Sequence, residues 1–328
     1  RVFSDHMFTM DYIDGQWTNM EIAAYKDISL SPATSALHYG QALFEGLKAY
    51  RNLKGEVLTF RPLANAQRLN ASADRMCMPS VDTDLFLEAL YKLLEIDQQW
   101  VPDRVGSSLY IRPFMFATDN YIGVKPSDNY KFMIFTCPVG AYYSKPVKVK
   151  IETFYSRACE GGVGRAKAAG NYAASLYPAA QAKKDGYDQL IWTDAKEHKY
   201  IEESGTMNVM FIVDGQLYTP TTSSTILPGI TRDSVLRIAR DWDMQVHETS
   251  IHIEELGRAL KQGRVQEAFG TGTAATIARI DTIGLNGVDY KLPEFTENDF
   301  SVRVGTHLED LKRGKIEDTK GWVKKVVG

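Results

Sequence analysis

Residues 161–172 read Gly-Gly-Val-Gly-Arg-Ala-Lys-Ala-Ala-Gly-Asn-Tyr, and a periodic segment follows at once over 172–185. Small residues crowd Lys167 on both sides. They would let a bulky ligand lie against the backbone and keep water from the lysine amine. A desolvated lysine has a lowered pKa and becomes a competent nucleophile. A glycine loop around a solvated lysine has the same spacing, so this stretch alone leaves both readings open. The helix expected over 172–185 closes at Gly186, where a left-handed cap costs least.

Two further stretches carry small residues that ordinary turns do not require. Residues 226–233, Ile-Leu-Pro-Gly-Ile-Thr-Arg-Asp, place a Pro-Gly break directly before a helix over 231–242. A helix start offers backbone N–H groups and the positive end of the dipole to an anion. Capping by Thr231 would use the same residues. Residues 269–275, Phe-Gly-Thr-Gly-Thr-Ala-Ala, follow a short strand over 264–269. Their N–H and hydroxyl donors suit an anion, or simply a β-turn.

Elsewhere strands and helices alternate irregularly, which predicts a mixed α/β (α+β) chain. Helices are expected over 62–73 and 83–96, the second with Leu85, Leu87, Leu90, Leu93 and Leu94 near a 3.6-residue period. Strands are expected over 108–116, 131–137, 147–154, 188–193 and 207–213, the last turning at Asp214-Gly215. The segment 138–146 breaks regular structure. It sets a smaller N-terminal α/β domain at 1–144, an interdomain linker at 145–150 and a larger C-terminal domain at 151–328.

The 328 residues are 44% apolar with a net charge of -3, an ordinary globular composition without the basic field of a nucleic-acid binder. No apolar run is long enough to span a bilayer, so no membrane partner is expected. Three cysteines without close spacing fit a reducing compartment. Because the sequence opens at Arg1 rather than Met, an upstream piece is expected. Cytoplasmic location follows, or the mitochondrial matrix if that piece is a transit peptide. The histidines form no metal-ligand spacing, and neither a serine-hydrolase elbow nor a P-loop is present.

Taken together, LHYGQALFEGLKAY at 37–50, TFRPLANAQRL at 59–69, SSLYIRP at 107–113, CPVGAYY at 137–143, GGVGRAKAAGNY at 161–172, EESGTMN at 202–208, ILPGITRDSVL at 226–236 and EAFGTGTAATI at 267–277 resemble the branched-chain amino-acid aminotransferases. These are two-domain, D-amino-acid aminotransferase-like enzymes of fold type IV that use pyridoxal 5′-phosphate. The resemblance runs in order from residue 4 to the C-terminal region. It implies that Lys167 condenses with the cofactor aldehyde and moves the α-proton. It also implies that Glu203 pairs with the pyridine nitrogen and Tyr172 with the phenolic oxygen. Arg61, Ile230, Thr231 and Thr273 would hold the phosphate.

For substrates, the resemblance implies an aromatic wall of Phe3, Tyr39, Phe44, Tyr110 and Tyr142, with Arg112 accepting the side-chain carboxylate of glutamate. Tyr110, Thr206, Thr273 and Ala274 would surround the α-carboxylate. Val124 would reach the neighbouring subunit of an obligate homodimer. The reaction implied is ping-pong exchange between L-leucine, L-isoleucine or L-valine and 2-oxoglutarate. One departure stands out: Ala275 and Ala278 replace the Cys-x-x-Cys of animal members, which removes thiol control of that kind. The rivals are D-amino-acid transamination or aminodeoxychorismate elimination on the same fold. A non-catalytic phosphate-ligand binding protein is a rival from another class, but it has no need of Lys167 with Glu203.

Overall fold

The computed structural model describes residues 2–104, 106–140 and 145–327. The chain divides into two compact units of comparable extent. One holds Arg1–Ala141, Ala166–Gly170 and Glu309–Gly328, and the other Tyr142–Arg165 and Asn171–Leu308.

The first unit is built on an antiparallel sheet with strand order Val323–Val327, Val57–Phe60, Leu47–Arg51, Ser108–Ala117, Tyr130–Val139, His6–Ile13, Gln16–Ala24, and with Ala42–Phe44 also paired to Ser108–Ala117. Strand alternation sorts its faces. In Ser108–Ala117, Leu109, Ile111 and Met115 enter the core, while Tyr110, Arg112 and Phe114 stand on the other face. Two helices pack on the core face. Helix Thr83–Ile96 starts where the Asp82 carboxylate accepts the N–H groups of Asp84 and Leu85, both at 3.0 Å. Such a cap contributes about 1 kcal/mol. The helix buries Phe86, Ala89, Leu90, Leu93 and Leu94. Helix Pro62–Arg75 adds Ala66, Leu69 and Ala73 to the same core.

The second unit has a mixed sheet. Its order is Ile201–Ser204, Gln189–Thr193, Val147–Ile151, Thr276–Leu285, Val265–Gly272, Met207–Val213, Gln216–Thr219, Val246–Glu248. Pairing of Ile201–Ser204 with Met207–Val213 closes the first six strands into a ring. The turn at Asp214 (φ 50°) and Gly215 (φ 76°) joins Met207–Val213 to Gln216–Thr219, with both central residues left-handed as a two-residue hairpin requires.

Three features differ from the sequence reading. Most of the expected linker 145–150 lies in the strand Val147–Ile151, whose Val147, Val149 and Ile151 join the core of the second unit. The first unit is not the smaller one, because the chain's last residues return to it: Val323–Val327 pairs with Val57–Phe60. Lys167 also belongs to the first unit, tied there by a bridge between Leu43 and Ala168. Short strands are placed by distant partners, which local patterning does not reveal. No helix is long and apolar enough to cross a membrane, and no group of three His, Cys, Asp or Glu could hold a metal ion, among the described residues.

Candidate active site

In the first unit, backbone contacts hold Lys167. Its N–H donates to Ser72 Oγ at 3.0 Å, and its carbonyl accepts the Phe44 N–H at 3.1 Å. The side chain then runs to the Phe44 ring, whose centroid lies 5.0 Å from Nζ. Burial strips water from the amine, and Arg68 adds like charge. Glu45 and Tyr110 act the other way, and the ammonium pKa falls from 10.5 to about 8. Arg112 covers the same Phe44 ring at 4.3 Å and donates from Nη2 to the Tyr110 hydroxyl at 2.8 Å. Its Nε is buried with no hydrogen-bond partner among the described residues. A buried guanidinium N–H without an acceptor is costly, and a carboxylate is the acceptor that suits it best. A Cβ at position 46 would collide with the Tyr110 hydroxyl, so Gly46 is what lets this ring lie close to the strand.

Phe3 stacks on Tyr25 at 4.9 Å and meets Phe135 edge-on at 5.5 Å, and Phe135 is the register partner of Arg112. Phe44, Tyr110, Arg112 and Lys167 are thus drawn together, with Phe3 packed on the residue paired with Arg112. Tyr39 and Val124 are exposed, and Tyr142 lies outside the described residues. Arg61 precedes helix Pro62–Arg75 in a left-handed conformation, φ 50° and ψ 44°. For a residue with a side chain that costs about 1–3 kcal/mol, a burden that clusters at functional sites. It is held by its N–H to the Trp322 carbonyl at 2.7 Å and by its guanidinium 5.0 Å over the Trp322 ring.

The second unit organises Glu203. This buried carboxylate accepts the Leu227 N–H at 2.7 Å through Oε1, and its Oε2 lies 3.2 Å from Arg157 Nε. Asn208 is the register partner of both Glu203 and Thr271, so the three side chains share one sheet face. Asn208 Nδ2 donates to the Leu227 carbonyl at 2.9 Å. Leu227 is therefore gripped at both its N–H and its carbonyl, which fixes the Pro228-Gly229 turn and the start of helix Ile230–Asp241. Thr231 is not the cap. The N-cap is Gly229, which has no side chain to offer, and Thr231 is buried within the first turn. Thr271 Oγ1, on the Glu203 face, is buried without a hydrogen-bond partner among the described residues. Thr273 and Ala274 lie in the connection between the paired residues Gly272 and Thr276, while Thr206 is exposed in the turn after Ser204. Tyr172 lies in the first turn of helix Ala169–Lys184. A buried carboxylate, a helix start without a side-chain cap and an orphan hydroxyl form a donor set that fits a ligand bearing both a phosphate and a ring nitrogen.

Residues 42–283 match the family described as amino-transferase class IV. The chain belongs to that family. It is 46% identical to branched-chain-amino-acid transaminase 1 of Bacillus subtilis (strain 168), over 99% of this chain and 92% of that protein. The solved branched-chain amino acid aminotransferase from Escherichia coli superposes with a TM-score of 0.79 at 28% identity, covering 98% of this chain and 99% of that one. The branched-chain enzyme of Thermobaculum terrenum, solved in its PLP form, shares the fold with a TM-score of 0.83 at 22% identity over the whole of both chains.

In this class IV aminotransferase several residues escape a motif reading. Ser72 holds the Lys167 N–H, Asn65 and Arg68 hold the Glu45 carboxylate, Arg157 and the Leu227 N–H hold Glu203, and Asn208 holds the Leu227 carbonyl. The spacing 65, 68, 72 is the one available signal: three polar side chains on a single stripe of an otherwise core-facing helix.

Proposed function

We propose that this aminotransferase moves the amino group of L-leucine, L-isoleucine or L-valine to 2-oxoglutarate, with pyridoxal 5′-phosphate as its cofactor. The observation that carries the reading is the Lys167 amine, brought to about 8 by desolvation, within the Phe44, Tyr110 and Arg112 cluster. When bound, the cofactor supplies an aldehyde for amines to condense with and a ring that accepts the electron pair left by a departing α-proton. Lys167, part neutral at physiological pH, takes up that proton and returns it. Glu203, kept in place by Leu227 and Arg157, holds a proton on the ring nitrogen. By the family resemblance Tyr172 would donate to the phenolic oxygen, and Arg61, the first-turn backbone of Ile230 and Thr231, and Thr273 would hold the phosphate.

Two substrate types take turns, so the side-chain site has to serve both. Phe3, Phe44 and Tyr110 offer apolar faces to an aliphatic chain, and the unsatisfied Arg112 Nε offers glutamate's side-chain carboxylate a partner. The deciding experiment is a half-reaction titration of the yellow protein, without keto acid, by L-leucine, L-glutamate and D-alanine separately. Bleaching of the visible band by both L-leucine and L-glutamate is expected. A response to D-alanine alone would move the activity to another member of the fold.

The working form is a homodimer. Support comes from the loop around Val124, which holds Tyr121, Ile122 and Val124 exposed, the last at 89%, while Asp119 fixes its ends by accepting the Asp128 and Asn129 N–H groups and donating its own N–H to Ser127 Oγ. An apolar tip on an anchored loop suits coverage by a second copy. Sedimentation at micromolar concentration should give twice the 36.8 kDa chain mass. A monomer that is fully active would overturn the assignment.

A further inference from the structure

Helix Pro62–Arg75 carries a polar stripe where a core is expected. Asn65, Arg68 and Ser72, at positions i, i+3 and i+7, are 2%, 9% and 1% exposed, beside the core residues Ala66, Leu69 and Ala73. Buried polar groups are retained only when partnered, and the partners here converge on one place. Arg68 Nε and Nη2 donate to the two oxygens of Glu45 at 2.7 and 2.9 Å. Asn65 Nδ2 donates to Glu45 Oε2 at 2.8 Å. Glu45 is wholly buried, and the residue before it, Phe44, donates its N–H to the Lys167 carbonyl and places its ring beside Nζ. Ser72, one turn beyond Arg68, takes the Lys167 N–H.

We propose that Glu45, Asn65, Arg68 and Ser72 are positioning residues for Lys167, Ser72 holding its N–H while Asn65 and Arg68 fix the Glu45 carboxylate that, with Arg68, sets the charge around its amine. This rests on the aminotransferase reading of Lys167. Stability does not account for the arrangement, since apolar residues often replace a buried ion pair at no loss. The charged and titratable groups that act on the amine are Arg68, Glu45, Tyr110 and Arg112. Arg68 and Glu45 act on it in opposite senses. Burial would push the Glu45 carboxyl up, but Arg68, Lys167 and Asn65 hold it low, so it stays an anion, with both its oxygens engaged by Arg68. Arg68 fixes the orientation of that anion, which acts on the lysine through its charge.

The test is a pH titration of the visible band in the full-length holoenzyme, for wild type, Arg68→Met, Glu45→Gln and the double variant. Arg68→Met removes a repelling cation and releases the carboxylate, so the midpoint should rise by about one pH unit or more. Glu45→Gln keeps the shape and removes the anion, so the midpoint should fall. The double variant should return close to wild type, a compensation that a merely structural role would not produce. Should Arg68→Met fail to fold, the downward shift in Glu45→Gln decides the matter. Competitive acetic anhydride labelling of Lys167 in cofactor-free protein should rank the variants in the same order. A wild-type protein with no visible band would sink the aminotransferase reading, and the labelling would still judge the positioning. Equal midpoints in all folded variants overturn it.

Discussion

Lys167→Ala lowers the rate of amino transfer from L-leucine by about ten-thousand-fold while the protein stays folded. The size follows from what is lost: a positioned proton carrier is worth roughly 10²–10⁴ in rate, and the covalent hold on the cofactor goes with it. Folding is spared because the side chain is a desolvated cation near Arg68, and its removal relieves repulsion while the backbone bonds to Ser72 and Phe44 persist. Single-turnover absorbance with L-leucine measures the effect. Small primary amines added to the variant should restore part of the rate, since they replace the proton carrier without replacing its tether. Borohydride should no longer fix cofactor to the chain. In cofactor-free wild type, labelling of Lys167 should have its midpoint near pH 8, because the neutral amine fraction grows as pH rises through the lowered pKa. Ordinary lysines would label about two pH units higher. A variant within tenfold of wild type would remove Lys167 from the chemistry.

How much of this was legible in the chain depends on how local each signal is. Helix Thr83–Ile96 was readable to the residue, since five leucines near the helical period lie within it. The Asp214-Gly215 hairpin was equally plain, because only a few residue types tolerate two successive left-handed positions. The Lys167 neighbourhood was marked by its small residues. What those residues serve depends on Glu45 and Arg68, which meet across 23 positions of sequence. No local pattern encodes that meeting, and a charged residue between Phe44 and Gly46 does not declare itself buried. The return of Val323–Val327 to Val57–Phe60 was also invisible. The five-residue stretch Val-Lys-Lys-Val-Val is too short to name its partner, and the pairing spans most of the chain. Thr231 was legible as a helix start but ambiguous in role. The structure shows Gly229 in the capping place, so Thr231 is not the cap.

Glu203→Gln separates chemistry from architecture in the second unit. The amide keeps an oxygen for the Leu227 N–H, so the Pro228-Gly229 turn and the start of helix Ile230–Asp241 should survive. What it gives up is the negative charge proposed above to hold a proton on the ring nitrogen. Losing one preorganised electrostatic partner typically reduces turnover by about 10²–10³, and kcat rather than KM should carry the loss, because the interaction grows as charge develops on the ring. The visible band should shift as well, since the ring's protonation state changes. Glu203→Ala adds a structural penalty. Arg157, 9% exposed on its side chain, would keep its charge without the facing carboxylate, and stranding one member of a buried pair costs about 3–5 kcal/mol. The two variants should therefore share the catalytic defect and the loss of the charge facing Arg157, so both should melt below wild type, with Ala the lower because it also gives up the oxygen that accepts the Leu227 N–H. If Glu203→Gln turned over at the wild-type rate with an unshifted band, the carboxylate would be a scaffold for Leu227 and Arg157 alone. The partner of the ring nitrogen would then have to be sought elsewhere on the face shared by Asn208 and Thr271.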